Sequence, residues 1–109
     1  MSKKRENKDV QIIHNKFYYE DVAINALKRT IIKFFEEGYL PAGTIFDPEW
    51  FKWSQVFVKG MGEAKELEIN HFSPEEEWAK CLEAKIAEGW IPAGSFKASG
   101  NQHYQILIR

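Results

Sequence analysis

The chain has 109 residues with a formal net charge of −1 at pH 7, and 44% of its residues are hydrophobic. This length and balance predict one globular domain with a modest core, and the near-zero charge argues against nucleic acid as a partner. The single cysteine, Cys81, excludes an internal disulfide, and no apolar run has the length of a membrane span. We therefore expect a cytoplasmic protein without a membrane partner.

The sequence predicts two strand–helix–strand–strand units in succession, packed as one compact domain. The first unit takes residues 9–60 and the second takes residues 61–109, after a basic arm at residues 1–8 for which we expect disorder. Short β-rich or alternating runs mark the strands. The predicted strands are residues 10–14, 43–46, 53–59, 65–69, 94–97 and 103–109.

Each unit carries one amphipathic helix. In the first unit, apolar residues between positions 22 and 35 recur at spacings of three and four, with Asp21 as the expected N-cap. In the second unit, residues 73–76 (Ser-Pro-Glu-Glu) have the pattern of a capping box with proline at the first helical position. Trp78 begins the apolar stripe of that helix, and Cys81 lies beside the stripe, where we expect a buried, unreactive thiol.

One hexapeptide pattern occurs twice, about half the chain apart. Gly38-Tyr39-Leu40-Pro41-Ala42-Gly43 returns as Gly89-Trp90-Ile91-Pro92-Ala93-Gly94, and residues 55–59 align with residues 105–109 after a one-residue shift. Such self-similarity predicts an α+β fold of two tandem βαββ repeats related by a pseudo-twofold axis. We expect both helices to pack on one face of the antiparallel strands, whether these form one six-stranded sheet or two sheets.

The last strand of each unit is apolar on both of its faces. Val56 and Val58 share one face while Phe57 lies on the other, and Leu107 repeats the position of Phe57. A sheet that is apolar on both sides needs cover on both sides. If the helices cover one face, the other meets the second unit or another subunit, so we expect a homo-oligomer.

The segments that close the two helices resemble a loose group of small bacterial and phage domains of unknown function. In that group a helix ends in (Ala/Glu)-Glu-Gly-Trp, and the unit closes with a basic residue. The matching segments here are residues 36–39 and 87–90, with Lys59 and Arg109 as the closing basic residues. Members usually hold one unit and pair as dimers, so the resemblance implies a fused dimer; it transfers no catalytic residue.

In size, style and aromatic content the chain also resembles small oligomeric phage proteins that sequester nucleotide immune signals. This second resemblance rests on no motif, so it assigns no residue. It implies a phage-encoded anti-defence sponge that acts in the host cytoplasm.

No motif of catalysis, cofactor binding or metal binding stands out in the sequence. Residues 60–62 (Gly-Met-Gly) lack the third glycine of a dinucleotide fingerprint, and neither paired cysteines nor a His-Glu-x-x-His motif is present. We expect no cofactor and no metal. His14 and His71 end the first strands of the two units, so either is a candidate general base if the protein is a small enzyme.

Two aromatic segments of the first unit have no full counterpart in the second. Residues 17–19 (Phe-Tyr-Tyr) precede the first helix, and residues 50–53 (Trp-Phe-Lys-Trp) join two strands. Rings beside cations such as Lys16 suit a ligand whose base stacks while its phosphate is held, although rings of this kind also fill cores and subunit interfaces. The predicted ligand-binding residues are Tyr18, Tyr19, Trp50, Lys52, Trp53, His14, His71, Arg29 and Arg109.

These patterns favour a non-enzymatic protein that binds and sequesters a small anionic, nucleotide-like ligand at a unit or subunit interface. The alternative is a protein–protein assembly module in which the aromatic segments are the binding hot spots. A small enzyme with a histidine general base is the third hypothesis.

Overall fold

The computed structural model describes residues 9–72 and 75–109. Within these ranges the chain is α+β, with two helices and six strands, and a single 3-10 turn, Ser99–Asn101, precedes the last strand. The elements are β1 (Val10–Lys16), α1 (Glu20–Glu36), β2 (Tyr39–Asp47), β3 (Lys52–Lys59), β4 (Leu67–Phe72), α2 (Glu75–Ala87), β5 (Ile91–Lys97) and β6 (His103–Ile108). The expected disordered arm and the Ser-Pro pair of the expected capping box lie outside the described residues.

The strands form two three-stranded antiparallel sheets with the same internal order. In the first sheet β3 lies between β1 and β2, and in the second sheet β6 lies between β4 and β5. The element order strand–helix–strand–strand is thus found in both units, with the last strand of each unit at the centre of its sheet. The twofold relation between the units stays a prediction.

The strands β2 and β5 start earlier than the sequence predicted, because both pair with their neighbour through a proline. Pro41 lies opposite Phe57 and Pro92 lies opposite Leu107. Proline has no N–H to donate to a sheet, so it is tolerated on strands that pair on one side only. In both strands the register shifts just after the proline.

The two sheets meet where the edge strands β2 and β5 lie against each other. A Cβ atom placed on Gly94 would lie 3.4 Å from the Cα of Gly43, and Gly94 has a φ of +118°. Beside this junction the rings of Phe46 and Phe96 stack with centroids 5.5 Å apart. The last glycine of the repeated motif therefore allows the backbones of the two units to approach closely.

Helix α1 packs on the first sheet and also contacts the second. The ring of Phe34 stacks on Phe57 of β3 with centroids 4.0 Å apart. On the other side, the hydroxyl of Tyr104 in β6 donates to a carboxylate oxygen of Glu20 at 3.2 Å. A single core results, with members from both units. Its most buried apolar side chains are Ala23, Leu27, Ile31, Trp53, Phe57 and Ile106.

The prediction that both helices pack on one face is wrong. Helix α2 packs on the side of the second sheet that carries Gln105, since the indole N–H of Trp78 donates to the side-chain oxygen of Gln105 at 2.9 Å. The neighbouring Tyr104 points to the opposite side, where α1 lies, because successive strand residues face opposite ways. Strand β6, which is apolar on both faces, is thus covered by α2 on one side of the sheet and by α1 on the other.

Of the two ends of α1, only the C-terminal end has the capping residue that the sequence predicted. Tyr19 is the N-cap and makes no side-chain capping bond, so the predicted N-cap position of Asp21 is wrong, although the carboxylate of Asp21 accepts the N–H of Val22 at 2.9 Å. Asp21 lies in the first turn instead, where an acid favours the helix dipole. At the other end Gly38 has the expected left-handed φ of +86°, and its N–H donates to the carbonyl of Phe35 at 3.1 Å.

Neither of the two helices has the length and apolar character needed to cross a membrane, as far as the described residues extend.

Candidate functional site

Cations and aromatic rings gather at one end of the first sheet. Lys16 of β1 lies directly opposite Lys52 of β3, so both ammonium groups project from the same face. The Nζ atom of Lys16 lies 4.6 Å from the ring centroid of Trp50. Trp50 and Tyr18 are exposed by 54% and 87%. We call Lys16, Tyr18, Trp50 and Lys52 the cation–aromatic cluster.

A cavity of about 260 Å³ lies at this cluster, between the segment after β1 and the turn before β3. The backbone N–H of Phe17 donates to the carbonyl of Phe51 at 3.1 Å and ties the two segments together. Phe51 has a φ of +48°, a conformation that is strained for an aromatic residue. The cavity is lined by Lys16, Phe17, Tyr18, Glu49, Trp50 and Phe51.

The two lysines of the cluster have no carboxylate partner in the part of the chain that the structure describes, where the ion pairs are Lys85–Glu68 and Arg109–Glu66. The nearby Asp47 lies opposite Lys52 in register, but its carboxylate accepts the N–H of Glu49 at 3.0 Å within the turn. Like charges directly opposite each other in a sheet are unfavourable. The cluster therefore places two lysines opposite each other, with Asp47 and Glu49 as the neighbouring acidic residues.

His14 extends this polar end along the same face. It lies opposite Ser54, and its Nδ1 atom is 3.0 Å from the hydroxyl oxygen of Ser54. His14 and Lys16 are two residues apart in β1, so both side chains lie on the face of the sheet away from α1. Of the nine residues that the sequence predicted, His14, Tyr18, Trp50 and Lys52 come together here, and Tyr19 is next to them in the chain.

Trp53 is not part of this cluster, and the prediction that it contacts a ligand is wrong. Its ring is fully buried, and its indole N–H donates to the carbonyl of Ala23 at 2.8 Å. Phe17 covers it with a ring centroid 6.2 Å away. Because Lys52 faces outward, the next residue along the strand must face α1.

Arg109 is held by the second unit itself. Its Nε atom donates to a carboxylate oxygen of Glu66 at 2.7 Å, and a terminal guanidinium nitrogen donates to the carbonyl of Glu88 at 2.8 Å. The guanidinium also lies over the ring of Trp90. The hydrogen bond with Glu66 raises the pKa of Arg109. These contacts assign Arg109 a structural role.

Arg29 and His71 lie elsewhere. Arg29 is exposed in α1, about 15 Å from Tyr19 if the helical rise of 1.5 Å per residue is followed. His71 is near the end of β4 in the second sheet, with its ring centroid 5.3 Å from that of Tyr104. The structure therefore does not bring either residue to the cation–aromatic cluster.

The face of the first sheet that α1 leaves open is aliphatic beyond the polar end. Val10 and Ile12 are each 54% exposed, and Ile45 on β2 is 74% exposed. Val58 and Val56 lie opposite Val10 and Ile12 in the register of β1 and β3. We call these five residues the aliphatic face. Along β1 and β3, the paired residues on this face are thus first apolar, then His14 with Ser54, and finally Lys16 with Lys52.

A second cavity, of about 250 Å³, lies between α2 and the second sheet. We call it the α2 cleft. The sequence reasoning missed it, because Cys81 was expected to be buried in the helix interface. The structure exposes Cys81 beside the cleft, so that prediction is wrong. The cleft is lined by Ile69, Asn70, His71, Phe72, Trp78, Cys81, Leu82, Lys85, Gln105 and Leu107.

No family model, no curated protein and no solved structure matches this chain. The resemblances to Gly-Trp domains and to nucleotide sponges therefore stay expectations from sequence. Across residues 9–72 and 75–109, no group of three or more histidine, cysteine or acidic side chains is placed to hold a metal ion.

Proposed function

We propose that the protein is a non-enzymatic binding protein for a small anionic, nucleotide-like ligand, held at the cation–aromatic cluster. The observation that carries this proposal is the direct pairing of Lys16 and Lys52 beside the exposed ring of Trp50. Phosphate oxygens between the two ammonium groups would offset their repulsion. The base of the same ligand would stack on Trp50 or Tyr18.

Sequestration is the role that we propose for this site, in the manner of a phage sponge for a nucleotide signal. Such a role needs binding alone. The pair formed by His14 and Ser54 has the spacing of a base and a nucleophile. Among the described residues, however, no third side chain is hydrogen-bonded to His14, whereas an activated serine needs a base that is itself oriented.

Native mass spectrometry of the protein recovered from its host cells tests this proposal. We expect an added mass of a few hundred daltons that is released on unfolding, as a nucleotide would give. The Lys16→Ala/Lys52→Ala variant should be recovered without it. Lys33→Ala, which removes an exposed charge from α1, should keep it. An added mass that is unchanged in the double variant would place the ligand elsewhere.

The aliphatic face supports a second candidate function, assembly with another copy of the chain. The corresponding side of the second sheet is covered by α1, whereas three large side chains of the aliphatic face are more than half exposed. A second copy seated on this face would remove them from water. If so, the mass in sedimentation should be that of a dimer or higher oligomer, and Ile12→Lys should reduce it to the monomer mass.

A further inference from the structure

The first unit shows what the α2 cleft lacks. In the first unit the space between helix and sheet is filled by Phe34, stacked on Phe57 with centroids 4.0 Å apart. Alignment of the repeated glycine motifs places Lys85 at the position of Phe34, and alignment of the last strands places Leu107 at that of Phe57. The second unit therefore has neither ring, and the α2 cleft lies at this position.

The two units also differ at a third position near the α2 cleft. Ile13 lies opposite Gln55 in the first sheet, and Asn70 lies opposite Gln105 in the second. Asn70 thus occupies the position of Ile13. Interiors of small domains are close-packed and hold few voids larger than a water molecule. A cavity of about 250 Å³ at a position that the sister unit fills approaches the lower limit of small-molecule sites, about 300 Å³.

The walls of the cleft are aromatic and aliphatic. Phe72 and Trp78 both line the cleft and stack with centroids 4.6 Å apart and an interplanar angle of 22°. Leu82 adds aliphatic surface, and the buried Leu107 lies beneath the cleft. A planar apolar molecule matches a lining of this kind.

Three polar side chains of the cleft lining, Trp78, Gln105 and Lys85, are already paired. Trp78 donates to Gln105, whose amide nitrogen donates to the carbonyl of Gly94 at 2.9 Å. The ammonium of Lys85 lies 2.7 Å from a carboxylate oxygen of Glu68. The two opposite charges balance each other, and an uncharged ligand would leave this ion pair intact. We therefore take the ligand to be uncharged.

We propose that the α2 cleft is a second binding site, which takes an uncharged, planar, apolar small molecule between α2 and the second sheet. The site is independent of the cation–aromatic cluster, which lies on the first sheet and takes an anion. The thiol of Cys81 lies at its rim.

Binding of N-phenyl-1-naphthylamine, an uncharged aromatic dye that fluoresces in apolar surroundings, tests this site. Lys85→Phe introduces the residue that fills the first unit and should weaken dye binding at least tenfold. Lys85→Gln removes the same charge without filling the cleft and should retain the dye. Equal dye affinity in Lys85→Phe and the wild type would overturn the proposal.

Cys81 supplies a second readout that needs no variant. It is the single cysteine of the chain, so its reaction with Ellman's reagent reports on the rim of the cleft. Saturating dye should slow this reaction several-fold, and an unchanged rate would contradict binding in the cleft. Loss of dye binding in Ile12→Lys but not in Lys85→Phe would place the dye on the aliphatic face and overturn the proposal.

Discussion

The guanidinium of Arg109 lies over the ring of Trp90, with its central carbon 4.3 Å from the ring centroid. In the first unit the ammonium of Lys59 lies over the ring of Tyr39 at 5.4 Å. Each pair joins the basic residue that closes a unit to the aromatic residue of the repeated glycine motif. A cation over an aromatic face is attracted by the ring quadrupole. The residues that carry the resemblance to Gly-Trp domains therefore make a structural contact in both units.

Replacing Trp90 by leucine should destabilise the protein. The ring is 6% exposed and lies beneath Arg109, so Trp90→Leu removes buried packing and the cation–ring contact at an expected cost of about 2 to 4 kcal/mol. Urea unfolding measures this loss. The matched control is Trp50→Leu, which removes an exposed ring and should cost less than about 0.5 kcal/mol. Equal losses in the two variants would contradict the structural role of Trp90.

The contact between the sheets makes different predictions for the two glycines that form it. Gly94→Ala adds a Cβ atom at 3.4 Å from the Cα of Gly43 and at a φ of +118°, so it should cost about 1 to 3 kcal/mol. A Cβ atom on Gly43 meets nothing within 4 Å, and Gly43→Ala should be tolerated. Thermal unfolding of both variants compares them directly. A cost at Gly43 that equals the cost at Gly94 would show that the junction is different from the one described.

Trp53 should matter for stability and not for ligand binding. Trp53→Phe keeps a buried ring but removes part of the buried indole and the N–H that donates to the carbonyl of Ala23, at an expected cost of about 1 to 3 kcal/mol. Urea unfolding gives the stability, and titration with ADP gives the affinity, which should stay within twofold of the wild type. A loss of ADP affinity without a loss of stability would show that Trp53 contributes to the ligand site after all.

The ion pair between Lys85 and Glu68 predicts a pH dependence. The hydrogen bond from Lys85 lowers the pKa of Glu68, a carboxyl that retains a third of its side-chain exposure. A carboxyl whose pKa is lower in the folded state stabilises the protein above its unfolded pKa, about 4.3, and loses this effect as the pH falls through the folded value. The wild type should therefore have a higher melting temperature than Glu68→Gln at pH 7, and the difference should shrink as the pH falls below about 4.3. A difference that does not change with pH would refute the assignment.

The order of elements could be predicted from the sequence, but the burial of Trp53 was not. Gly38 and Gly89 end the helices as expected, both with positive φ. The prediction for Trp53 failed because the sequence analysis grouped it with the aromatic segment 50–53, whereas in β3 it alternates with the exposed Lys52 and shares the buried face of Phe57. In a strand, one residue of offset exchanges the buried face for the exposed face.

The cavity at the cation–aromatic cluster could not be predicted from the sequence, whereas the α2 cleft could have been. The pairing of Lys16 with Lys52 depends on the register of β1 and β3, which composition and periodicity do not supply. The α2 cleft had a signal, because the aligned repeats place Lys85 at the position of Phe34. The exposure of Cys81 had no such signal, because the residue lies beside the apolar stripe of α2.

Isothermal titration of the full chain with ADP, in the absence of divalent cations, tests the central claim most directly. Wild-type protein should bind ADP with one site per chain, and more tightly than adenosine or pyrophosphate, because ADP engages both the rings and the lysines. Lys52→Ala and Trp50→Ala should each weaken binding about tenfold, while Lys33→Ala should not. Absence of ADP binding, or equal binding in all four proteins, would contradict an anionic-ligand site at the cation–aromatic cluster.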